Sequence, residues 1–281
     1  MRTAAFITIL CLFSHKVSAQ QDSSRTTLTL AALYNSNISY YGQVTTEKYP
    51  YILVNASLRF PIGFYITAGG YKLLNYGSGI SETDLGLGYD YKFNEKLTAG
   101  LAYTYSFFPV NSPLLKASNA NNINGSVTYN WPWFKTAFNA DYAFGKEQDL
   151  FLSLGNSKEI ELGHLFNEND LLSIEPSLEI VAGTTHFYET YTIEKNKRDK
   201  ANGNGKSESV PGNVNQNTSV TTEIPNSRFK FLSYNFKLPL AYSRANYLAE
   251  ISYQFSLLGN HNEAGVKHQQ SFFGLAFYYQ F

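Results

Sequence analysis

Two segments near the C-terminus, Tyr247–Leu257 (YLAEISYQFSL) and Ser271–Phe281 (SFFGLAFYYQF), decide the fold. In the second, Phe273, Leu275, Phe277, Tyr279 and Phe281 recur at every other position. Side chains alternate along a β-strand, so all five share one face. In the first, Tyr247, Ala249, Ile251, Tyr253, Phe255 and Leu257 share a face, while Glu250, Ser252, Gln254 and Ser256 share the other. Soluble half-buried strands usually run about five or six residues, whereas a tilted membrane-crossing strand needs roughly 9–11. Both segments have the longer measure.

Upstream segments repeat the pattern. Leu232, Tyr234, Phe236, Leu238, Leu240 and Tyr242 alternate with Ser233, Asn235, Lys237, Pro239 and Ala241. Leu97, Ala99, Leu101, Tyr103, Tyr105 and Phe107 alternate with Thr98, Gly100, Thr104 and Ser106. Leu85, Leu87, Tyr89, Tyr91 and Phe93 oppose Asp84, Gly86, Gly88, Asp90 and Lys92, and similar faces run through 122–131, 134–144 and 174–180. Lipid on one side and water on the other would select this pattern. Short turns fall at 61–63, 94–96, 131–133, 166–170 and 244–246, and longer loops at 35–48, 75–81, 109–121, 145–149, 190–227 and 259–270. The two classes alternate, so the expected fold is all-β: an up-and-down antiparallel transmembrane β-barrel of twelve strands, with ten and fourteen as neighbouring counts. Short turns and both termini are expected at the periplasmic rim.

Some places fit the alternation less well. The apolar pattern slips after Gly69-Gly70, which suggests a bulge. In the eighth strand Leu150, Leu152 and Leu154 are followed on the same face by Asn156 and Lys158. Either a bulge near Gly155 resets the register, or the strand has left the bilayer, or 155–158 is a turn. Pro176 and Pro239 interrupt strand patterns, where each removes a ladder hydrogen bond.

Composition agrees. The 281 residues are 16% aromatic, with 22 Tyr and 21 Phe, which is not the make-up of a disordered chain. Lys and Arg total 22 against 22 Asp and Glu, so no basic excess exists to grip nucleic acid. The segment 1–19 reads as an export signal: Arg2, then the apolar Ala4–Phe13, then the small-residue site Val17-Ser18-Ala19. That apolar run is much shorter than the ~20 residues of a membrane-spanning helix. Cleavage before Gln20 removes Arg2, Lys16 and the only cysteine, Cys11, leaving 20–281 as a barrel domain without thiol chemistry.

Taken together, the chain resembles bacterial outer-membrane β-barrel proteins over essentially all of 20–281. The closing alternation Phe273, Leu275, Phe277, Tyr279 and Phe281 is similar to the C-terminal signal read by the barrel-assembly machinery in such proteins. The resemblance implies residence in the outer membrane, lipid around the wall and assembly by that machinery. Trp131 and Trp133 are expected in the periplasmic aromatic girdle, and Tyr105, Phe107, Phe187 and Tyr188 in the outer one.

If the barrel conducts, function lies on the inward face. That face is small and polar, with charges at Arg59, Asp84, Asp90, Lys92, Lys135, Asp141, Glu175, Glu179, Lys237 and Glu250, and with Glu159 and Glu161 as further acids. Eight strands enclose a filled interior and sixteen an open channel, so twelve imply a narrow bore. The expectation is a porin-like channel for small polar solutes with mild cation preference; the alternative is a cross-lumen salt-bridge network that closes a structural or adhesive barrel. Glu175 and Glu179 are expected beside Lys237. The segment 194–226, rich in Asn, Lys, Ser and Gly, reads as one long external loop that is solvated, gates the lumen or meets a partner. No cofactor is implied. A lipid-modifying enzyme is the third reading, but none of His164, His186, His261 and His268 has a serine two residues on; a metal site of His261, Glu263 and His268 is the remaining catalytic option. Mass spectrometry of the exported chain should find Gln20 as its first residue.

Overall fold

The first and last strands meet, and that contact closes the sheet. The structure, a computed structural model, describes residues 25–110, 112–187, 229–259 and 266–281. The expected export segment 1–19, the expected girdle residue Tyr188 and the whole 190–227 connection, including 194–226, lie outside the described residues.

Strand β1 (Thr27–Asn35) pairs antiparallel with both β2 (Tyr51–Arg59) and the C-terminal β14 (Gln269–Gln280). From β2 the order follows the sequence through β3 (Phe64–Leu73), β4 (Glu82–Lys92), β5 (Leu97–Phe107), β6 (Asn121–Asn130) and β7 (Lys135–Phe144) to β8 (Gln148–Ser157). In the other direction β14 meets β13 (Tyr247–Leu258), which meets β12 (Lys230–Arg244). The circle closes where β11 (Ser177–Gly183) pairs with β12 on one side and β8 on the other. Two short pieces, β9 (Ile160–Gly163) and β10 (Asp170–Ile174), continue β8 and β11 towards the short-turn rim, and β10 lies along the same β12. These segments make twelve strands of a closed antiparallel barrel. Closure pairs the backbone groups of every strand with neighbours, which a bilayer demands.

The two faces differ as lipid and water require. Leu30, Val54, Leu85, Leu101, Ile251 and Leu275 are exposed on the outer face, whereas Asn124, Ser126, Thr128, Ser153 and Ser256 are buried on the inner one. All five alternating residues of the last strand, Phe273, Leu275, Phe277, Tyr279 and Phe281, point outward and are exposed. Trp131 and Trp133 lie exposed at the short-turn rim. Trp131 Nε1 donates to Thr136 Oγ1 at 3.1 Å, and that hydroxyl donates to Asn156 Oδ1 at 2.7 Å. The outward Asn156 is therefore satisfied by a polar chain beside a girdle tryptophan.

The structure corrects three readings of the wall. No bulge occurs at Gly69-Gly70: the register of β3 against β2 is unbroken from Tyr65↔Arg59 to Leu73↔Tyr51. What slips is polarity, because Tyr71 and Leu73 face inward and pack beneath loops that enter the barrel. Conversely, the register of β11 on β12 shifts between Val181 and Ala182, and Leu232 turns inward into a buried cluster instead of facing lipid. Phe187, expected in the outer girdle, is 0% exposed in that same cluster.

The eighth strand runs through Gly155 to Ser157 and breaks only at Lys158-Glu159. Pro176 occupies the gap between β10 and β11, and Pro239 stands opposite on β12. Lys158 N donates to Pro176 O at 3.2 Å, and Glu175 N to Pro239 O at 3.4 Å. The missing proline N–H groups and the strand break thus share one patch of wall.

Leu101, near the middle of β5, is 62% exposed. Leu101→Arg should destabilise the barrel by roughly 2–4 kcal/mol, and Phe107→Arg at the loop rim by only about 0–1 kcal/mol. Urea titrations of the two variants in liposomes test this depth dependence.

Candidate functional site

Two long loops fold into the barrel mouth. In the first, residues 36–50, Tyr40 and Gln43 form a backbone bridge across the left-handed pair Tyr41 (φ 52) and Gly42 (φ 81). The loop reaches across the mouth to β12: Gln43 Nε2 donates to Leu232 O at 3.0 Å, and Ser233 Oγ to Tyr41 O at 3.4 Å. A Cβ at position 42 would collide with Ser233 Oγ, so both backbone shape and close approach require glycine there. Tyr41 stacks on Phe151 with centroids 3.6 Å apart, and Tyr40 meets Phe151 and Phe187 edge-on. Burial pushes both phenol pKa values up, with Asp149 adding to the effect at Tyr40 and Asp141 at Tyr41, so both hydroxyls stay neutral.

The second loop, 108–120, carries a 3-10 turn at Leu115–Ser118. Leu114 packs on Tyr49 and Leu73, and Leu115 on Phe151, Val181 and Leu232. Between these anchors Lys116 forms an ion pair with Glu82, lies 4.0 Å from Asp84 and sits 4.5 Å above the Tyr71 ring. Burial works against its charge, but Glu82 and Asp84 outweigh burial and raise its pKa, so Lys116 remains cationic.

A third anchor is Asp149, at the start of β8. Its carboxylate accepts hydrogen bonds from Asn119 Nδ2, Thr184 Oγ1 and the backbone N–H groups of His186 and Phe187, all at 2.8–3.0 Å. His186 Nδ1 lies 3.1 Å from the same group. This grip draws Phe187 inside.

Beneath the two loops a cavity of about 460 Å³ runs through the lumen. Amide and hydroxyl side chains, among them Asn55, Thr104, Asn124, Asn139, Ser153 and Gln254, share its wall with apolar and aromatic groups such as Leu53, Tyr65, Ala102 and Val181. Seven of the ten inward charges expected from the sequence line it: Asp84, Lys135, Asp141, Glu175, Glu179, Lys237 and Glu250. The other three stand nearer the short-turn rim, where Arg59 binds Asp90 at 2.8 Å and Lys92 is exposed.

The pairing differs from expectation. Glu175 takes Lys135 Nζ at 2.7 Å and Ser157 Oγ at 2.8 Å, while Lys237 pairs with Glu250 on β13 at 3.2 Å. Glu179 accepts from Asn235 Nδ2 at 3.1 Å, Asp141 from Asn124 Nδ2 at 2.9 Å, and Asp84 from Ser106 Oγ at 2.6 Å. Glu159 and Glu161 lie on the protruding hairpin and do not line the cavity. Sequence reasoning missed Glu82, although it continues the inward alternation of Asp84; Lys116 and Asp149 carried no signal beyond their residue type.

His164 Nδ1 meets Asp170 O, and His186 Nδ1 meets the Asp149 carboxylate. His261 and Glu263 lie outside the described residues, among which no group of three metal-ligating side chains occurs.

A closed barrel with an apolar outer face, aromatic rims and a polar interior has one setting that satisfies all its surfaces. The chain is a membrane-spanning β-barrel. No family model matches the sequence, and no curated protein does. Among solved structures, the fold is similar to the KdgM porin, at 12% identity over 90% of this chain and 99% of that one, with TM-score 0.49. It is similar also to LpxR from Salmonella typhimurium (8% identity, 89% and 99% covered, TM-score 0.49) and to the NanC porin (8%, 90% and 98%, TM-score 0.46). At such identities the likeness concerns the barrel alone.

Lys116→Met leaves Glu82 in the barrel mouth without its ion-pair partner, so loop 108–120 should lose its inward seat. Hydrogen exchange at residues 114–119 is expected to rise by roughly tenfold or more while the barrel strands stay protected.

Proposed function

We propose that the barrel is a narrow channel for small polar solutes, its bore constricted by the inward loops 36–50 and 108–120. The supporting observation is the cavity of about 460 Å³ beneath those loops, whose mixed wall presents many amide and hydroxyl side chains. Such a wall leaves room for water and offers a passing solute many weak partners, which suits entry and release. The ion pairs Lys135–Glu175 and Lys237–Glu250 keep four of the seven charges that line the cavity bound to one another, so selectivity is mild. In this reading lipid surrounds the outer face, the short turns face the periplasm, and the barrel-assembly machinery reads Phe273, Leu275, Phe277, Tyr279 and Phe281 during insertion.

Planar-bilayer recordings of the refolded chain 20–281 test the channel. Small, stable conductance steps are expected, and deletion of 113–119 should enlarge them by removing the 3-10 turn from the lumen. Silence in both proteins overturns the channel and leaves a closed barrel acting through its external loops. Steps that appear only when 194–226 is deleted would instead make that segment the plug.

A further inference from the structure

The inward acids fall into two groups. Glu82 and Asp84 have Lys116, Asp90 has Arg59, Glu175 has Lys135, and Glu250 has Lys237. Asp141 and Glu179 are held instead by amides, Asn124 at 2.9 Å and Asn235 at 3.1 Å, and among the described residues neither has a lysine or arginine in ion-pair contact. They stand on one patch of wall. Asp141 on β7 is level with Phe151 of β8, Glu179 on β11 is level with Gly155, and Ser153 lies between those two positions on the inward face. All three polar residues, with Tyr41 and Asn235, line the cavity.

Asn235 adds an independent sign. It is 7% exposed, and its Oδ1 has no hydrogen-bond partner. The amide cannot be turned over to cure this, because its Nδ2 is committed to Glu179 and reversal would set oxygen against carboxylate. A buried acceptor without a donor costs stability unless something supplies the donor. The patch therefore presents two carboxylates and a spare carbonyl oxygen, while the amide donors beside them are engaged.

We propose that this patch is a binding subsite for small organic cations carrying primary ammonium groups, which bring both the positive charge and the N–H donors that the wall lacks. The inference rests on the channel reading for the route by which such a solute reaches the cavity, and it adds the class of solute. Gly155 gives a direct handle on it. A Cβ there would have Glu179 Cβ, Ala137 O and Leu178 O at 4.0 Å and nothing closer. Gly155→Lys thus places an ammonium of the protein's own beside Glu179 while keeping every native acid.

The test is calorimetric titration of the refolded chain 20–281 in detergent micelles with 1,4-diaminobutane, and with uncharged 1,4-butanediol. Saturable binding of the diamine is expected, weakened roughly tenfold or more in the double variant Asp141→Asn, Glu179→Gln and in Gly155→Lys, with butanediol much weaker. Mobility of the unboiled protein on gels reports folding, and Gly155→Lys carries the test if the double variant fails to fold. Equal diamine affinity in wild type and variants overturns the proposal, as does no saturable diamine binding to the wild type or diol binding as tight as diamine binding. Diamine binding by a barrel that is silent in bilayers keeps the subsite and removes the channel. Conductance without diamine binding removes the subsite alone.

Discussion

Backbone hydrogen bonding in hydrocarbon is the constraint on which the rest depends. No water is present to satisfy a strand edge, so the first and last strands must find one another. β14 does this by pairing with β1 from Thr29↔Gln280 to Asn35↔Gly274 while holding β13 on its other side. Once the sheet is closed, each side chain has only two destinations, lipid or lumen, and the alternation along every strand becomes obligatory. The wall tolerates defects only where they answer one another. Pro176, Pro239 and the break at Lys158-Glu159 fall together near the short-turn rim, where stray carbonyls still find the N–H groups of Lys158 and Glu175.

The interior has two regimes, set by what fills it. At the loop rim the chain returns into the barrel, and the inner wall there is apolar: Leu53, Tyr71, Leu73, Phe151, Leu232, Leu258 and Phe272 are all buried. Below the loops, among the described residues, the wall carries most of its amide, hydroxyl and charged groups. A low-dielectric surround makes isolated charge costly, which explains why most inward acids have a basic partner and why the loop that enters the mouth carries Lys116 to Glu82. Asp141 and Glu179 depart from this economy of charge, and they do so within the cavity.

The outward pattern was legible because a bilayer imposes the same contrast at every strand. It misled at two places, in opposite ways. At Gly69-Gly70 a change from lipid-facing to loop-facing apolar residues resembles a backbone bulge, yet the register is unbroken. At Leu232 a true register shift leaves the apolar alternation looking intact, since leucine suits lipid and a loop-packed interior equally well. Phe187 failed for a related reason: an aromatic residue near a rim suits a girdle, and only the carboxylate of Asp149, 38 residues earlier, draws its backbone inward.

The sequence by itself determined the barrel class and the outward face, and it set twelve as the central strand count, because each follows from a period of two repeated between turns. Only the tertiary structure decided the partners of the inward charges. Lys237 has acids on both neighbouring strands, and barrel stagger sets Glu250 of β13 against it while Glu175 turns to Lys135. The same holds for the two loops in the mouth. Their descent depends on Gly42 meeting Ser233 and Lys116 meeting Glu82, contacts between residues far apart in the chain that no local pattern encodes. Periodicity reports which face a residue takes, whereas the partner it finds there depends on how the sheet is rolled.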